Sequence, residues 1–504
     1  MRDPGTARIV LLSLALLVFR LLSTMLVAEP GYTDAYYYAD VAARLARGDG
    51  LTADFVWNFI EAPAMDPLPV ASHRFWVPLA TIAQAGGIAL FGPWLGPFRA
   101  AQLALVIVAA FIPLVTYRAA RSLGASEVAA LVAAAIAGLG GLLAPGYVAA
   151  DSFAIAALVG TLFFLAFAGA AIGSARAGAL AGLLVGLLFL ARTEAALFGL
   201  ALLALAVRPT TRRAGTIGSA VALAIGIAWL ARDAALGLPG DLFARTALLV
   251  HYEDFFAIAS PTLAAFVAAM PSVIAAKLGA LATNAVVLVF GLFLVLAPLA
   301  GFGAWRLRAR ADVRAWSALL VLVYLAQSLV WTEHSIRGSF FHAIAAFLPF
   351  GVALAVAAAE RALAARAVEE RRVATAGMLV ASVAVSAFAV VQWDATFGAA
   401  HRERAAAVEA IPSGTFLAID AAAWRWIADR PVVVTPADGL GVAACAVGRY
   451  RATSIVLEMA HFRAYDALYR GDARPAWLGP PITRGSIEIF PVIASADVGC
   501  SFSR

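Results

Sequence analysis

The sequence predicts an all-α polytopic membrane bundle followed by a small C-terminal α/β domain, and three observations predict it. The 504 residues are 63% hydrophobic and only 13% charged, with a mean hydropathy of +0.88, a composition outside the range of soluble domains. Apolar runs near 20 residues recur between short charge clusters, and about 20 residues are what a helix needs to cross a bilayer. From about residue 393 the pattern changes to short apolar segments alternating with amphipathic ones, which reads as α/β.

The apolar runs are built of Ala, Leu, Val and Gly without alternation, which argues against an outer-membrane barrel. The first run, residues 7–28, sits where a secretory signal would, but it lacks a small-residue cleavage site and reads as a retained helix. The net charge of +6 is the basic excess expected of loops held on the cytoplasmic side. No nucleic-acid partner is implied.

Arginine clusters give the topology. They fall at Arg2 and Arg8, Arg118 and Arg121, Arg176, Arg208 with Arg212 and Arg213, residues 306–314, and residues 361–372. Placing all of them in the cytoplasm requires an even number of crossings between successive clusters. Spans at residues 8–28, 98–118, 127–144, 150–171, 176–191, 194–207, 214–235, 279–305, 315–331, 340–359 and 373–392 supply it. These eleven helices put the N-terminus inside and the tail outside. The pair 176–191 and 194–207 is short for two crossings and is divided by Arg192-Thr-Glu194, as in a tilted or half-membrane hairpin.

Three segments face the exterior in this map. Residues 29–97 form the first loop, including an apolar run at 75–91 that Pro78 and the Gly86-Gly87 pair mark as lying along the interface. Residues 236–278 form the second. The third is the tail, so the chain divides into a membrane domain, 1–392, and an extracytoplasmic α/β domain, 393–504. Strands are expected at 415–420, 431–435 and 454–458, with helices at 421–428 and 440–450. Both cysteines, Cys445 and Cys500, lie in the tail, where they pair in an oxidising exterior or stay as two buried thiols.

Asp34 carries the most chemical information. It follows the first apolar run and opens Asp34-Ala-Tyr-Tyr-Tyr in a chain poor in charge. On a helix over residues 33–46, with Thr33 as N-cap, Tyr37, Tyr38, Val41 and Leu45 share its face and Asp40 is rotated away. Asp34 and Asp40 are therefore not a paired carboxylate. Two readings of Asp34 stand: a general base in a cavity at the membrane surface, or an acid favoured by the helix dipole beside interfacial tyrosines.

The order of motifs resembles a known family. One N-terminal helix, a loop opening with Asp34-Ala-Tyr-Tyr-Tyr, then Gly48-Asp-Gly50, Trp76-Val-Pro-Leu79, Leu90-Phe-Gly92 and Arg99 are similar to the polyprenyl-phosphate-dependent membrane glycosyltransferases of the GT-C superfamily. The bacterial relatives of protein mannosyltransferases and the aminoarabinose transferases are the nearest in pattern. The resemblance continues at Ala150-Asp151-Ser152, Leu190-Ala-Arg-Thr-Glu194 and His334-Ser-Ile-Arg-Gly-Ser-Phe-Phe-His342.

That resemblance implies a multi-pass protein of the cytoplasmic membrane. Its activity would be inverting transfer from a lipid-phosphate sugar to a lipid, glycan or protein acceptor on the outer face, with Asp34 as base. The Asp-Glu pair of many mannosyltransferases is missing, because Ala35 follows Asp34. The polyprenyl-phosphate sugar is a co-substrate, no other cofactor is expected, and a divalent metal is left open.

Residues that would serve such a site follow. Tyr37 and Tyr38 flank Asp34 as substrate contacts. Asp151 either lines the cavity or caps the helix after it. Arg192 and Glu194 either pair within the membrane or line the cavity. A lipid phosphate needs fixed positive charge; Arg337, flanked by His334 and His342, leads, and Arg245 and Lys277, the only lysine, come next. His73 and Arg74 read as surface residues, and His251 with Glu253 and Asp254 as solvated loop residues and not a metal site. A transporter or flippase of a lipid-linked saccharide competes, but it usually carries two comparable halves. No such repeat is present.

Overall fold

The computed structural model describes residues 4–62, 65–238 and 240–494, and they fold as two compact units. The first unit comprises Met1–Ala28, Trp76–Ala235 and Lys277–Asp394. The helix Phe153–Ala170 is apolar on all sides, as a helix that spans a bilayer is. Seven helices among the described residues are long and apolar enough to cross a bilayer, and the pair Ser339–Ala346 with Leu348–Ala362, bent by 61°, makes eight. The protein is a multi-pass membrane protein.

The expected eleven spans of near 20 residues differ from this in their lengths. Residues 127–144 hold a helix only over Glu127–Leu139, and the hairpin at 176–207 holds Ala175–Phe189 and Gly199–Ala206 joined by a 3₁₀ turn, Thr193–Phe198. The expected span 279–305 is two helices, Met270–Gly291 and Leu296–Arg306, parted where Phe293 and Leu294 take positive φ. Residues 75–91 give a helix over Leu79–Leu95, in which Gly87 lets the backbone approach Ala100: a Cβ there would lie 2.6 Å from the Ala100 carbonyl oxygen.

Broken helices inside an apolar bundle need their free ends satisfied. Arg20 supplies one partner: it is 2% exposed, donates to the Gly138 carbonyl at 2.7 Å and lies 5.4 Å over the Tyr147 ring. A guanidinium at the C-terminal end of Glu127–Leu139 also meets the negative end of that helix dipole. Arg99 does the same for the first helix, Pro4–Leu26, donating to Thr24 O at 2.6 Å and Val27 O at 3.3 Å. Packing elsewhere is by small residues. A Cβ on Gly182 would lie 2.1 Å from the Gly218 carbonyl oxygen, so the helices Ala175–Phe189 and Arg212–Ala235 meet backbone to backbone.

The second unit comprises Glu29–Phe75, Leu236–Ala276 and Ala395–Arg504. Its main sheet has strands β2 (Phe55–Val56), β4 (Phe416–Ala418), β5 (Val432–Val433), β6 (Ser454–Leu457), β7 (Ile482–Arg484) and β8 (Ile487–Pro491). Their order is β2-β5-β4-β6-β8-β7. The first four strands in that order are parallel and the β7–β8 hairpin is antiparallel. A separate two-stranded ladder joins β1 (Thr52–Ala53) to β3 (Val70–Ala71). The three tail strands and the helices Ala421–Ala428 and Leu440–Tyr450 lie where the alternation placed them. The hairpin was not expected, and neither was β2: the first loop supplies an edge strand of the tail's sheet.

Burial explains the sheet. Phe416, Leu417, Val432, Val433, Ile455 and Val456 are fully covered, and Trp424 is fully buried too, with its Nε1 donating to Glu458 at 2.6 Å. A continuous apolar strand with no alternation is what a strand covered on both faces requires. Cys445 is buried on Leu440–Tyr450, while Cys500, and with it the choice between a disulfide and two thiols, lies outside the described residues.

Candidate functional site

In the first unit the chemistry collects on the stretches where helices break. Residues 140–152 carry Asp151, residues 190–198 carry Arg192 and Glu194, and residues 330–347 carry His334, Arg337 and His342. Backbone that leaves helical geometry inside a bundle is tolerated where protein buries it or a polar cavity receives it. The short helix Ser339–Ala343 is the meeting point.

Asp151 is completely buried. It was expected either to line a cavity or to cap the next helix. That helix, Phe153–Ala170, has Ser152 as N-cap with no side-chain cap bond. Asp151 Oδ1 instead accepts from the Ser152 hydroxyl at 3.0 Å and from the Ser152 N–H, and Oδ2 faces His342 Nε2 at 3.2 Å. His342 Nδ1 lies 2.9 Å from the Gly338 carbonyl, and Phe153 stacks on the imidazole at 4.4 Å. A carbonyl only accepts, so Nδ1 carries a proton. The Nε2 to Asp151 contact then needs a second proton, on the ring or on the carboxyl. Joined by a hydrogen bond, the two would share one proton in a covered place, a unit able to stabilise charge or to move a proton.

Arg192 and Glu194 form the second pair, 2.8 Å apart with side chains 9% and 7% exposed. Arg192 also reaches the Ser339 carbonyl at 3.4 Å. Two polar pairs thus converge on Ser339–Ala343 from different stretches of the chain, and Arg192 with Glu194, as a buried ion pair, would leave an uncompensated charge if either partner were removed. Leu79 N–H donates to Leu190 O at 2.7 Å, which ties the Trp76-Val-Pro-Leu79 motif to the same place.

The cationic candidates are placed differently. Arg337 follows the helix Thr332–Ile336 and is exposed. Lys277 donates to the Leu329 carbonyl and lies 3.4 Å from Thr332 Oγ1, at the entrance to residues 330–347. Both ring nitrogens of His334 are covered, and burial holds its imidazole down to about 4, neutral at pH 7. His334 is thereby unsuited to hold a phosphate by charge.

In the second unit Asp34 lies in the first turn of the helix Thr33–Arg47 and is half-buried. The N-cap is Tyr32, not Thr33, and its side chain makes no capping bond. Tyr37 and Tyr38 are 2% and 1% exposed. The Tyr37 hydroxyl accepts from the His73 N–H, and His73 packs against both tyrosine rings. His73 is fully buried and not a surface residue; its positive φ turns the chain so that the ring enters the core. Arg74 is likewise held, at 2.6 Å from Glu61 O and 3.0 Å from Asp66.

Among the acids of residues 236–278, Asp254 is not merely solvated. It accepts from Val250 N at 3.0 Å and His251 N at 2.9 Å and so caps the turn Tyr252–Phe256. Arg245 pairs with Asp241 at 3.1 Å.

Several participants were not singled out from the sequence. Phe153 and Ser339 act through local stacking and a backbone carbonyl, for which no motif exists. Tyr36 is fully buried with its hydroxyl 2.8 Å from His401 Nδ1, a bond across 365 residues of sequence; the run of three tyrosines was the one signal available.

With this geometry described, the fold has known counterparts. No family model matches the sequence, and no curated protein matches it. Solved structures do match. The chain is similar to ArnT from Cupriavidus metallidurans bound to undecaprenyl phosphate, with 16% identity and a TM-score of 0.59, over 98% of this chain and 100% of that one. It is similar to the Archaeoglobus fulgidus oligosaccharyltransferase in the apo form, with 13% identity and a TM-score of 0.57, over 90% of this chain and 70% of that one. The same archaeal enzyme, AglB, in complex with an inhibitory peptide and a dolichol-phosphate gives 14% identity and a TM-score of 0.52, over 88% and 69%. The chain shares the fold of these solved structures, the fold expected from the order of its motifs.

Proposed function

We propose that the protein is an inverting glycosyltransferase that moves a sugar from a polyprenyl-phosphate donor to an acceptor on the outer face of the cytoplasmic membrane. The observation that supports this reading most is likeness over nearly the whole chain to a transferase solved with undecaprenyl phosphate bound. Fold alone does not carry chemistry, and the polar pairs on the broken helices supply the second support.

In this reading Asp34 takes the proton of the acceptor hydroxyl, the acceptor oxygen attacks the anomeric carbon, and the bond to the phosphate oxygen breaks. The phosphate departs already ionised, so acid assistance is less needed than in glycoside hydrolysis, and one carboxylate suffices. Arg337 and Lys277 meet its charge. Asp151 with His342, and Arg192 with Glu194, bind the sugar or its phosphate, with Tyr37 and Tyr38 backing the base. The eleven-crossing map, with the N-terminus cytoplasmic and the α/β domain outside, belongs to the same proposal.

Membranes containing the protein, supplied with an undecaprenyl-phosphate-linked sugar, test it. Asp34→Asn is expected to lower transfer by about 100-fold or more, the usual size of a lost general base. Full transfer by Asp34→Asn would remove the base from this reading. Exchange of the lipid-linked sugar across the bilayer with its phosphate bond intact would favour a flippase instead.

A further inference from the structure

The helix Thr33–Arg47 begins without a side-chain cap, yet its first turn carries Asp34. Helix ends fray unless something else holds them. What holds this one comes from the far end of the chain. Tyr32 packs against Phe397 with ring centroids 5.7 Å apart, and one turn on, the Tyr36 hydroxyl bonds His401 Nδ1 at 2.8 Å. His401 Nε2 lies 3.6 Å from Glu29. Phe397 and His401 are themselves spaced i, i+4, so residues 397–401 grip residues 29–36 from one side.

The grip continues along the helix. Tyr36, Asp40 and Arg44 fall on one stripe at i, i+4, i+8, rotated by roughly 120° from the face of Asp34, Tyr38, Val41 and Leu45. Tyr36 and Arg44 are hydrogen-bonded, and Asp40 between them lies within ion-pair reach of Arg425. Asp40 faces Arg425 Nε at 3.9 Å, Arg425 reaches Asp54 at 3.7 Å, and Arg44 bonds Asp54 and, at 3.1 Å, Thr52 Oγ1. Tyr36, Asp40, Arg44 and Arg425 are all buried. Parallel pairing of β2 with β5 fixes the loop that carries Asp54 to the same sheet. A helix bonded along one stripe cannot rotate about its axis, so the direction of its remaining face is set.

We propose that the C-terminal part of the second unit is a positioning element for Asp34, and that His401, through Tyr36, is its positioning residue. The proposal deepens the catalytic reading of Asp34 and rests on it only for the consequence in transfer. The orientation of the first turn can be read without any sugar. Burial, with Arg404 and Arg402 nearby, keeps His401 below the ordinary histidine range, so a neutral imidazole makes the Tyr36 bond at pH 7.

The test places a cysteine at the position of interest in the full-length protein and measures its alkylation by a water-soluble maleimide in membranes, with modification at residue 34 read by peptide mass spectrometry. In the Asp34→Cys background, His401→Ala and Tyr36→Phe are each expected to change the labelling rate by about fivefold or more. His401→Asn, whose amide can stand in for Nδ1, should restore it, and the double change His401→Ala with Tyr36→Phe should be no larger than either alone. A thermal melt accompanies each variant, and Tyr36→Phe, which keeps the buried ring, answers for His401→Ala if the latter does not fold.

Rates within twofold of the parent for the folded variants overturn the positioning role. The two readings fail separately. Altered labelling together with full transfer by Asp34→Asn removes the base and keeps the positioning. Unaltered labelling together with a dead Asp34→Asn does the reverse.

Discussion

Asp40 offers the sharpest quantitative consequence of the structure. Its carboxylate is 4% exposed, Oδ2 has no hydrogen-bond partner, and the nearest cation, Arg425 Nε, is 3.9 Å away. Burial pushes the carboxyl up to about 6 from an ordinary 3.8; Arg425 and Arg44 pull it back in part, and Asp54 adds to the rise. The long ion pair explains the sign, because a partner at that distance returns less than desolvation costs.

The folded state therefore binds more protons than the unfolded chain across this window. Stability from protonated Asp40 is complete below pH 3.8 and is lost as pH rises through about 6. A rise of roughly two units corresponds to about 3 kcal/mol at pH 7.5, and to about half that at pH 5. Asp40→Asn, which mimics the protonated acid and leaves Arg425 its bonds to Asp54 and Asp429, should raise the melting temperature in detergent. For a unit of this size the rise is roughly 5–10 °C at pH 7.5, shrinking toward pH 5. Melting curves of the two proteins at both pH values decide it. A variant that melts below the parent at pH 7.5, or a gap that does not narrow at pH 5, refutes the reasoning.

Two further outcomes follow from packing and pairing. Arg404 is 9% exposed and is held by Glu458 at 2.9 Å and Asp420 at 3.0 Å, so Glu458→Ala, which also strips Trp424 Nε1 of its acceptor, should cost about 3–5 kcal/mol, read as a lowered melting temperature and loss of the Trp424 environment in fluorescence. Gly182→Ala forces a Cβ against the Gly218 carbonyl and should destabilise the first unit by about 1–3 kcal/mol, whereas Gly226→Ala, with open space around it, should be neutral in the same melt.

The tail also bears on how the function is to be dissected. Deleting it from about residue 414 to ask whether it is needed assumes that an enzyme based on Asp34 survives without it. The structure removes that assumption: β2 of the first loop pairs with β5 of the tail, and Arg425 and His401 hold the helix that bears Asp34. Point substitutions at Asp34 are informative where truncation is not.

Class and element order were legible from the sequence because they rest on local properties. Hydrophobic runs mark membrane helices through the cost of burying charge in hydrocarbon, and alternation of short strands with amphipathic helices marked β4, β5 and β6 within a residue or two of where they lie. The helix Thr33–Arg47, and the rotation of Asp40 away from Asp34, follow from a 3.6-residue period alone. Asp151, Arg192, Glu194 and His342 stood out because polar residues flanking apolar runs are costly unless partnered.

Tertiary structure alone decided who the partners are. Asp151 finds His342 across 191 residues and Tyr36 finds His401 across 365; such pairs are set by how helices and strands pack, and no spacing along the chain encodes them. Helix lengths inside the bundle were decided there too, because a helix can end at residue 139 rather than 144 once Arg20 from another helix donates to the Gly138 carbonyl at its end. The edge strand β2 belongs to the tail's sheet for the same reason: two residues carry too little local preference to declare themselves, and only the hydrogen bonds waiting on β5 make them a strand.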